Sequence, residues 1–357
     1  MIQLIRALAA ADIDIELVIF AQDKGQGLIN LPPDAPIEWI IVEDSSPGSR
    51  LIWEQTVLPG IVQKSKINLL HSMHYTKPFR LTCASVVTFH DMTYYLYPEL
   101  HTRTRRMVFP TAMRISSRQA DAIIAVSEST RQDVIRLLNI DPGKIFTTQL
   151  GVDPSFKVID ENEPLEKAAS NYGLPENFIL YLGTIEPRKN LPLLIKSYKR
   201  LVDSGTKHKL VLVGKYGWMY KKILHLVDEL NLTNWVYFTG YIPQEDLPLV
   251  YNLATLFVYP TIYEGFGLPV LEAMACGVPV ITSQISSLPE IVGDAGVLIP
   301  VSDAGALYDA MDRLLQNKSL RDELIKAGLT RAKTFSWERT AQLTCKIYQK
   351  VLGSSKT

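Results

Sequence analysis

The sequence predicts an α/β protein of two doubly wound domains, each a parallel sheet with helices on both faces. Two observations predict it. Short apolar runs of strand length alternate with amphipathic stretches of helical period along most of the chain, the pattern of repeated βα units. The 357 residues also suffice for two domains of ordinary size, and a polar stretch over 157–173 separates them. The boundaries that follow are a first domain over 1–156, a linker over 157–173, a second domain over 174–336 and a last helix over 337–357.

The first ten residues have the spacing of an amphipathic helix and lead to a strand over 15–20. A doubly wound domain ordinarily opens on a strand, so an N-terminal first strand is missing from the expected order. Strands are then expected at 37–42, 67–72, 84–89, 122–126 and 145–150, with helices near 50–64, 98–119 and 130–138. Open sheets of this kind hold ligands beyond the carboxyl ends of their strands. Two such exits are polar: His71 and His74 follow Leu70, and His90-Asp91 follows Phe89. Ser127 reads as a helix N-cap. In the second half strands are expected at 178–183, 210–215, 235–241, 255–259 and 296–300, with helices near 220–230, 304–316, 320–333 and 337–352.

Composition excludes several classes. Lys plus Arg equals Asp plus Glu at 37 each, which gives no support to a general nucleic-acid binder. Cys83, Cys276 and Cys345 are too few and too scattered for a disulfide framework or a metal knuckle, so a reducing compartment is expected. No apolar run reaches membrane-spanning length and no secretory signal is evident, which makes the cytoplasm the default location. Arg103, Arg105, Arg106, Arg114 and Arg118 lie along one expected helix, either as a solvated face or as a peripheral contact with anionic lipid at the inner face of the membrane.

The most informative stretch runs from Tyr259 to Gly277. It reads as a strand end, a glycine loop (Gly265-Phe266-Gly267-Leu268) and a helix opening on Pro269. The amides of Gly265, Phe266, Gly267 and Leu268 would face an anion, with the positive end of the helix dipole behind them. Glu264 and Glu272 flank that cradle. Like charge makes them unsuitable for a phosphate, but a carboxylate accepts hydrogen bonds from sugar hydroxyls on either side of a diphosphate. Upstream, Arg188 and Lys189 stand just before a helix start at a strand's carboxyl end, where a diphosphate can be gripped. No Gly-x-Gly-x-x-Gly follows a strand, which argues against a nicotinamide dehydrogenase.

This stretch, continued through Cys276-Gly277-Val278-Pro279-Val280-Ile281-Thr282-Ser283, resembles the nucleotide-sugar signature of the retaining glycosyltransferases of family 4, which have the GT-B fold of two Rossmann-like domains facing a cleft. The resemblance implies that Glu264 contacts the donor sugar and Glu272 the ribose. It makes Thr184-Ile185-Glu186-Pro187-Arg188-Lys189 the diphosphate clamp, with Thr184 where many members carry an Arg, so that either Arg188 supplies the missing charge or the clamp rests mainly on Lys189, and it places the base near the backbone of Tyr241 and Ile242. His90 would reach the donor sugar at the reacting carbon, with Asp91 fixing its imidazole. Family members usually open on a strand and a glycine-rich loop absent here. The implied function is transfer of a hexose from a nucleoside diphosphate sugar, UDP-hexose favoured over GDP-hexose, to a hydroxyl on a glycan or lipid-linked acceptor. A donor-binding but inactive partner subunit and a nucleotide-sugar epimerase are the alternatives. No metal is expected, because Asp12-Ile13-Asp14, the sole Asp-x-Asp, precedes a strand and so lies at the sheet end away from the ligand.

Overall fold

The structure is a computed structural model that describes residues 1–11, 15–22, 37–42 and 47–354; Asp12 and Asp14 lie outside the described residues. The chain divides into two compact units, one of Met1–Gly151 with Ser336–Thr357, the other Val152–Phe335.

In the first unit β1 (Leu17–Gln22) pairs with β2 (Ile37–Val42), and β3 (Leu69–Ser72), β4 (Ala84–Phe89), β5 (Ala122–Ala125) and β6 (Ile145–Thr147) form a second sheet in that order. All pairings are parallel. Burial on both faces explains the continuous apolar runs. Val87, Phe89, Ile123 and Ala125 pack on one side with Met113 and Val134, and the alternate residues Val86, Ala122 and Ile124 pack on the other with Ile347, Tyr348 and Val351. Those last three come from the helix Trp337–Ser354, which also packs along the helix Ile2–Ala10 through Leu4, Leu8, Ala341 and Cys345.

Several expected helices are divided differently. The stretch near 50–64 is two helices, Pro47–Thr56 and Leu58–Lys64, because Pro59 belongs in a first turn and starts a new helix. The stretch near 98–119 is a short 3₁₀ turn, Pro98–Leu100, and a helix beginning only at Arg103. Ser127 does cap the helix Glu128–Leu138, its Oγ accepting from the Thr130 amide at 3.0 Å.

In the second unit β7 (Phe178–Leu182), β8 (Lys209–Val213), β9 (Val236–Gly240), β10 (Leu256–Tyr259), β11 (Val280–Ser283) and β12 (Val297–Ile299) make one parallel sheet ordered β12-β11-β10-β7-β8-β9. This is the doubly wound order of a Rossmann domain, and its switch point falls between β7 and β10. The expected linker over 157–173 is corrected here: it contains the helix Asn162–Tyr172, part of the second unit, ended by Gly173 in the left-handed region and tied down where Tyr172 Oη donates to Asp246. Its polar surface gave it the composition of a linker. Among the described residues no helix is long and apolar enough to cross a membrane.

Candidate functional site

Ligand chemistry is concentrated at the switch point, where the loops leaving β7 and β10 meet. The β7 exit is shaped by two glycines. A Cβ on Gly214, at the end of β8, would lie 2.0 Å from the carbonyl oxygen of Gly183, so only glycine lets the β7 and β8 exits run this close. The two exits then continue as a short ladder, with the Ile185 amide donating to Lys215 O and the Gly217 amide to Ile185 O. That ladder delivers Pro187–Lys189, a single 3₁₀ turn, to the mouth of the sheet.

The β10 exit carries Glu264. Its Oε1 accepts from Arg188 Nη1 at 2.8 Å, Lys189 Nζ at 2.5 Å, Tyr259 Oη at 2.8 Å and Thr261 Oγ1 at 3.4 Å. Lys189 Nζ also donates to Tyr259 Oη. Burial would raise this carboxyl, but the Lys189 and Arg188 charges with the Lys189 and Tyr259 hydrogen bonds outweigh it and hold the group below its ordinary value. Glu264 is therefore ionised at neutral pH. Its Oε2 has no partner among the described residues.

The glycine loop follows. Gly267, at φ +113°, is the N-cap of the helix Leu268–Ala275, and a Cβ there would meet Leu288 Cδ2 at 2.8 Å. The main-chain amides of Phe266, Gly267 and Leu268 have no hydrogen-bond partner among the described residues, as an anion cradle requires. Two serines invisible to motif reading hold the loop: Ser286 Oγ accepts from the Glu264 amide at 2.9 Å, and Ser287 Oγ donates to the carbonyls of Glu264 and Phe266.

Glu272, one turn into that helix, is half-buried and accepts from Tyr251 Oη at 3.1 Å. Burial pushes it up to about 7 against that hydrogen bond, with the Asp153 charge adding to the rise. Thr184 is exposed and brings no charge; Tyr241 is exposed with Lys215 Nζ 4.5 Å from its ring centre, and Ile242 is buried. Arg188, expected at the phosphates, has its guanidinium on Glu186, Glu264 and the Tyr263 carbonyl.

In the first unit His90 follows β4, and its Nε2 bonds the Met73 carbonyl at 2.7 Å. A carbonyl can only accept, so Nε2 carries the proton and Nδ1 is the acceptor; burial lowers the imidazole and keeps it neutral. The expectation that Asp91 fixes His90 is corrected: Asp91 Oδ1 accepts from the Thr93 amide and hydroxyl, capping the next turn. His71 is a structural group. Half-buried, with desolvation lowering it to about 3, it bridges Tyr348 Oη at 2.6 Å and Thr88 Oγ1 at 2.7 Å. His74 packs edge-on against Tyr75 and is lowered to about 4 by burial.

Comparison with known proteins agrees with this anatomy. The profile described as "Glycosyltransferase Family 4" matches residues 1–156, and that described as "Glycosyl transferases group 1" matches residues 162–331. The "O-antigen chain mannosyltransferase B" of Escherichia coli is 37% identical over 282 residues, covering 79% of this chain and 74% of that protein. Among solved structures, a sucrose-phosphate synthase from Thermosynechococcus elongatus superimposes with a TM-score of 0.77 at 24% identity, over 99% of this chain and 92% of that one. A structure of Anabaena HepE in complex with UDP-glucose gives 0.74 at 18% identity, over 93% and 91%. The chain belongs to the glycosyltransferases formed by a family 4-like domain and a group 1 domain, with two Rossmann-like domains of the GT-B fold.

Proposed function

We propose that this glycosyltransferase moves a hexose from a nucleoside diphosphate to a hydroxyl of a glycan or lipid-linked acceptor, with retention at the anomeric carbon and without a metal. The observation that carries the reading is the meeting, at one switch point, of an ionised carboxylate, a buried lysine and a glycine loop in which the amides of Phe266, Gly267 and Leu268 are unpaired among the described residues. In this reading the amides of Phe266, Gly267 and Leu268 and one Lys189 proton stabilise charge that grows on the departing diphosphate. The leaving phosphate oxygen takes the acceptor hydroxyl's proton as the new glycosidic bond forms and the sugar–phosphate bond breaks. Glu264 Oε2 accepts from a hydroxyl of the donor sugar, Glu272 from the ribose, and Nδ1 of His90 accepts from the sugar near the reacting carbon. The base packs near Tyr241 and Ile242.

Uridine diphosphate is favoured as carrier, supported by the complex of the Anabaena relative with UDP-glucose, and guanosine diphosphate is the second candidate. The E. coli relative's name puts mannose first among the hexoses to test. We place the protein in the cytoplasm, at the inner face of the membrane. Support comes from the helix Arg103–Gln119, whose first turn carries Arg103, Arg105 and Arg106 without an acid and leaves Met107 78% exposed, a surface suited to anionic lipid.

The test is a thermal-shift and turnover panel of uridine and guanosine diphosphate hexoses, run with and without EDTA. Stabilisation and turnover by one of these donors, undiminished by chelator, is expected. Loss of turnover in EDTA restored by Mg²⁺ or Mn²⁺ would overturn metal independence, and binding without any turnover would make the chain an inactive donor-binding subunit.

A further inference from the structure

A diphosphate needs positive charge, and with Thr184 neutral the sequence offers either Arg188 to supply it or a clamp resting mainly on Lys189. The guanidinium is engaged elsewhere. Nη1 donates to Glu264 Oε1 and to the Tyr263 carbonyl, both at 2.8 Å, while Nε and Nη2 donate to Glu186 Oε1 at 3.2 and 2.9 Å. The main chain doubles the link. The Arg188 carbonyl accepts from the Ile262 amide and from Thr261 Oγ1, each at 2.9 Å. A single residue of the β7 exit is thus laced by side chain and backbone to Thr261, Ile262, Tyr263 and Glu264 of the β10 exit, across the switch point.

Two features give this lacing a purpose. Four donors converge on Glu264 Oε1 and none among the described residues on Oε2, so turning the carboxylate would break an ion pair that only a planar fork can span. The charges of Glu186, Arg188, Lys189 and Glu264 also cancel, two cations against two carboxylates, so little net positive charge is left for a phosphate.

We infer that Arg188, backed by Glu186, is a positioning residue that fixes the Glu264 carboxylate so that Oε2 alone meets the donor sugar. The diphosphate is then held by Lys189 and the loop amides. The inference rests on the glycosyl-transfer reading and divides the work within that same site. Arg188 governs the sugar end, and Lys189 the phosphate end.

The experiment compares Arg188→Ala, Glu186→Gln and Lys189→Ala with wild type. UDP and GDP affinity is read by calorimetry, kcat and KM from nucleoside diphosphate release, and melting temperature confirms folding. Arg188→Ala should lower kcat by about 10²-fold, the effect of a misplaced group, while nucleoside diphosphate affinity falls by less than the roughly tenfold of a lost charged phosphate contact. Glu186→Gln, a change at a partly exposed side chain that keeps the test alive should Arg188→Ala not fold, should lower kcat with nucleoside diphosphate affinity unchanged. Lys189→Ala should lose about tenfold or more of that affinity. A comparable loss in Arg188→Ala, or tighter nucleoside diphosphate binding with kcat retained in Glu186→Gln, would show Arg188 to be a phosphate ligand and overturn the inference. Wild type that binds neither UDP nor GDP would overturn the glycosyl-transfer reading beneath it.

Discussion

His90 holds its proton on Nε2 against the Met73 carbonyl, which leaves Nδ1 as an acceptor and makes the ring a fixed, neutral hydrogen-bonding group. Such a ring orients a sugar hydroxyl better than it moves protons. His90→Ala should therefore lower kcat by about 10²- to 10⁴-fold, with nucleotide affinity and melting temperature close to wild type. A destabilised protein with near-normal turnover would instead make His90 a structural bridge like His71. Glu272 carries a different signature. Its folded value of about 7 lies above the ordinary 4.5, so the folded state holds the proton longer, and its contribution to stability, full below the ordinary value, is lost as pH rises through about 7. Ribose hydroxyls favour the ionised carboxylate, so binding a nucleotide sugar should release a large part of one proton near pH 6 and little near pH 8. Calorimetry in buffers of different ionisation enthalpy measures this, and Glu272→Gln should abolish it. Equal release in that variant would remove Glu272 from the nucleotide.

At the scale of elements the exits after β7 and β8 run so close that Gly214 has no room for a Cβ. Gly214→Ala would drive a Cβ to 2.0 Å from a main-chain oxygen at φ +148°, with no flexible side chain to give way. It should cost about 3 kcal/mol or more, whereas Gly205→Ala, at φ +86° with nothing within 4 Å, should cost only about 1 kcal/mol of backbone strain. Denaturant midpoints of the two variants check this; equal losses would show that the exits can part without penalty. The same elements show what was legible beforehand. Runs such as Ser85–Phe89 announce themselves because both faces are buried, and the loop at Gly265–Pro269 because glycine and proline punctuate it. The helix Asn162–Tyr172 was hidden, since Ala168 is its buried side chain and its anchor, Asp246, is 74 residues away. Ser286 and Ser287 were hidden for a related reason: they reach the backbone of Glu264 from 22 and 23 residues away, and periodicity records only near neighbours. Arg188 was noticed for its charge, but its partners could not be.

At the scale of the molecule the two units are unequal in how the chain builds them. Val152–Phe335 is one continuous segment, whereas the first unit draws on both Met1–Gly151 and Ser336–Thr357. Within that unit Tyr348 Oη bonds His71, and Thr340 Oγ1 donates to the Gln149 carbonyl at 2.8 Å. Ending the chain at Phe335 should therefore unfold or loosen the first unit, while nucleotide still raises the melting temperature of the second. Hydrogen exchange resolved by peptide measures both, and unchanged protection over β3 to β6 would show that the helix Trp337–Ser354 is dispensable. The lacing of distant segments also sets a timetable for biogenesis. As the ribosome emits the chain, the second unit has everything it needs once Phe335 is out, while the first, though made earlier, waits with Val86, Ala122 and Ile124 uncovered on one face until Ile347, Tyr348 and Val351 emerge. The second unit can close first, and the half translated first is the one left with an apolar face open to water until the last helix arrives.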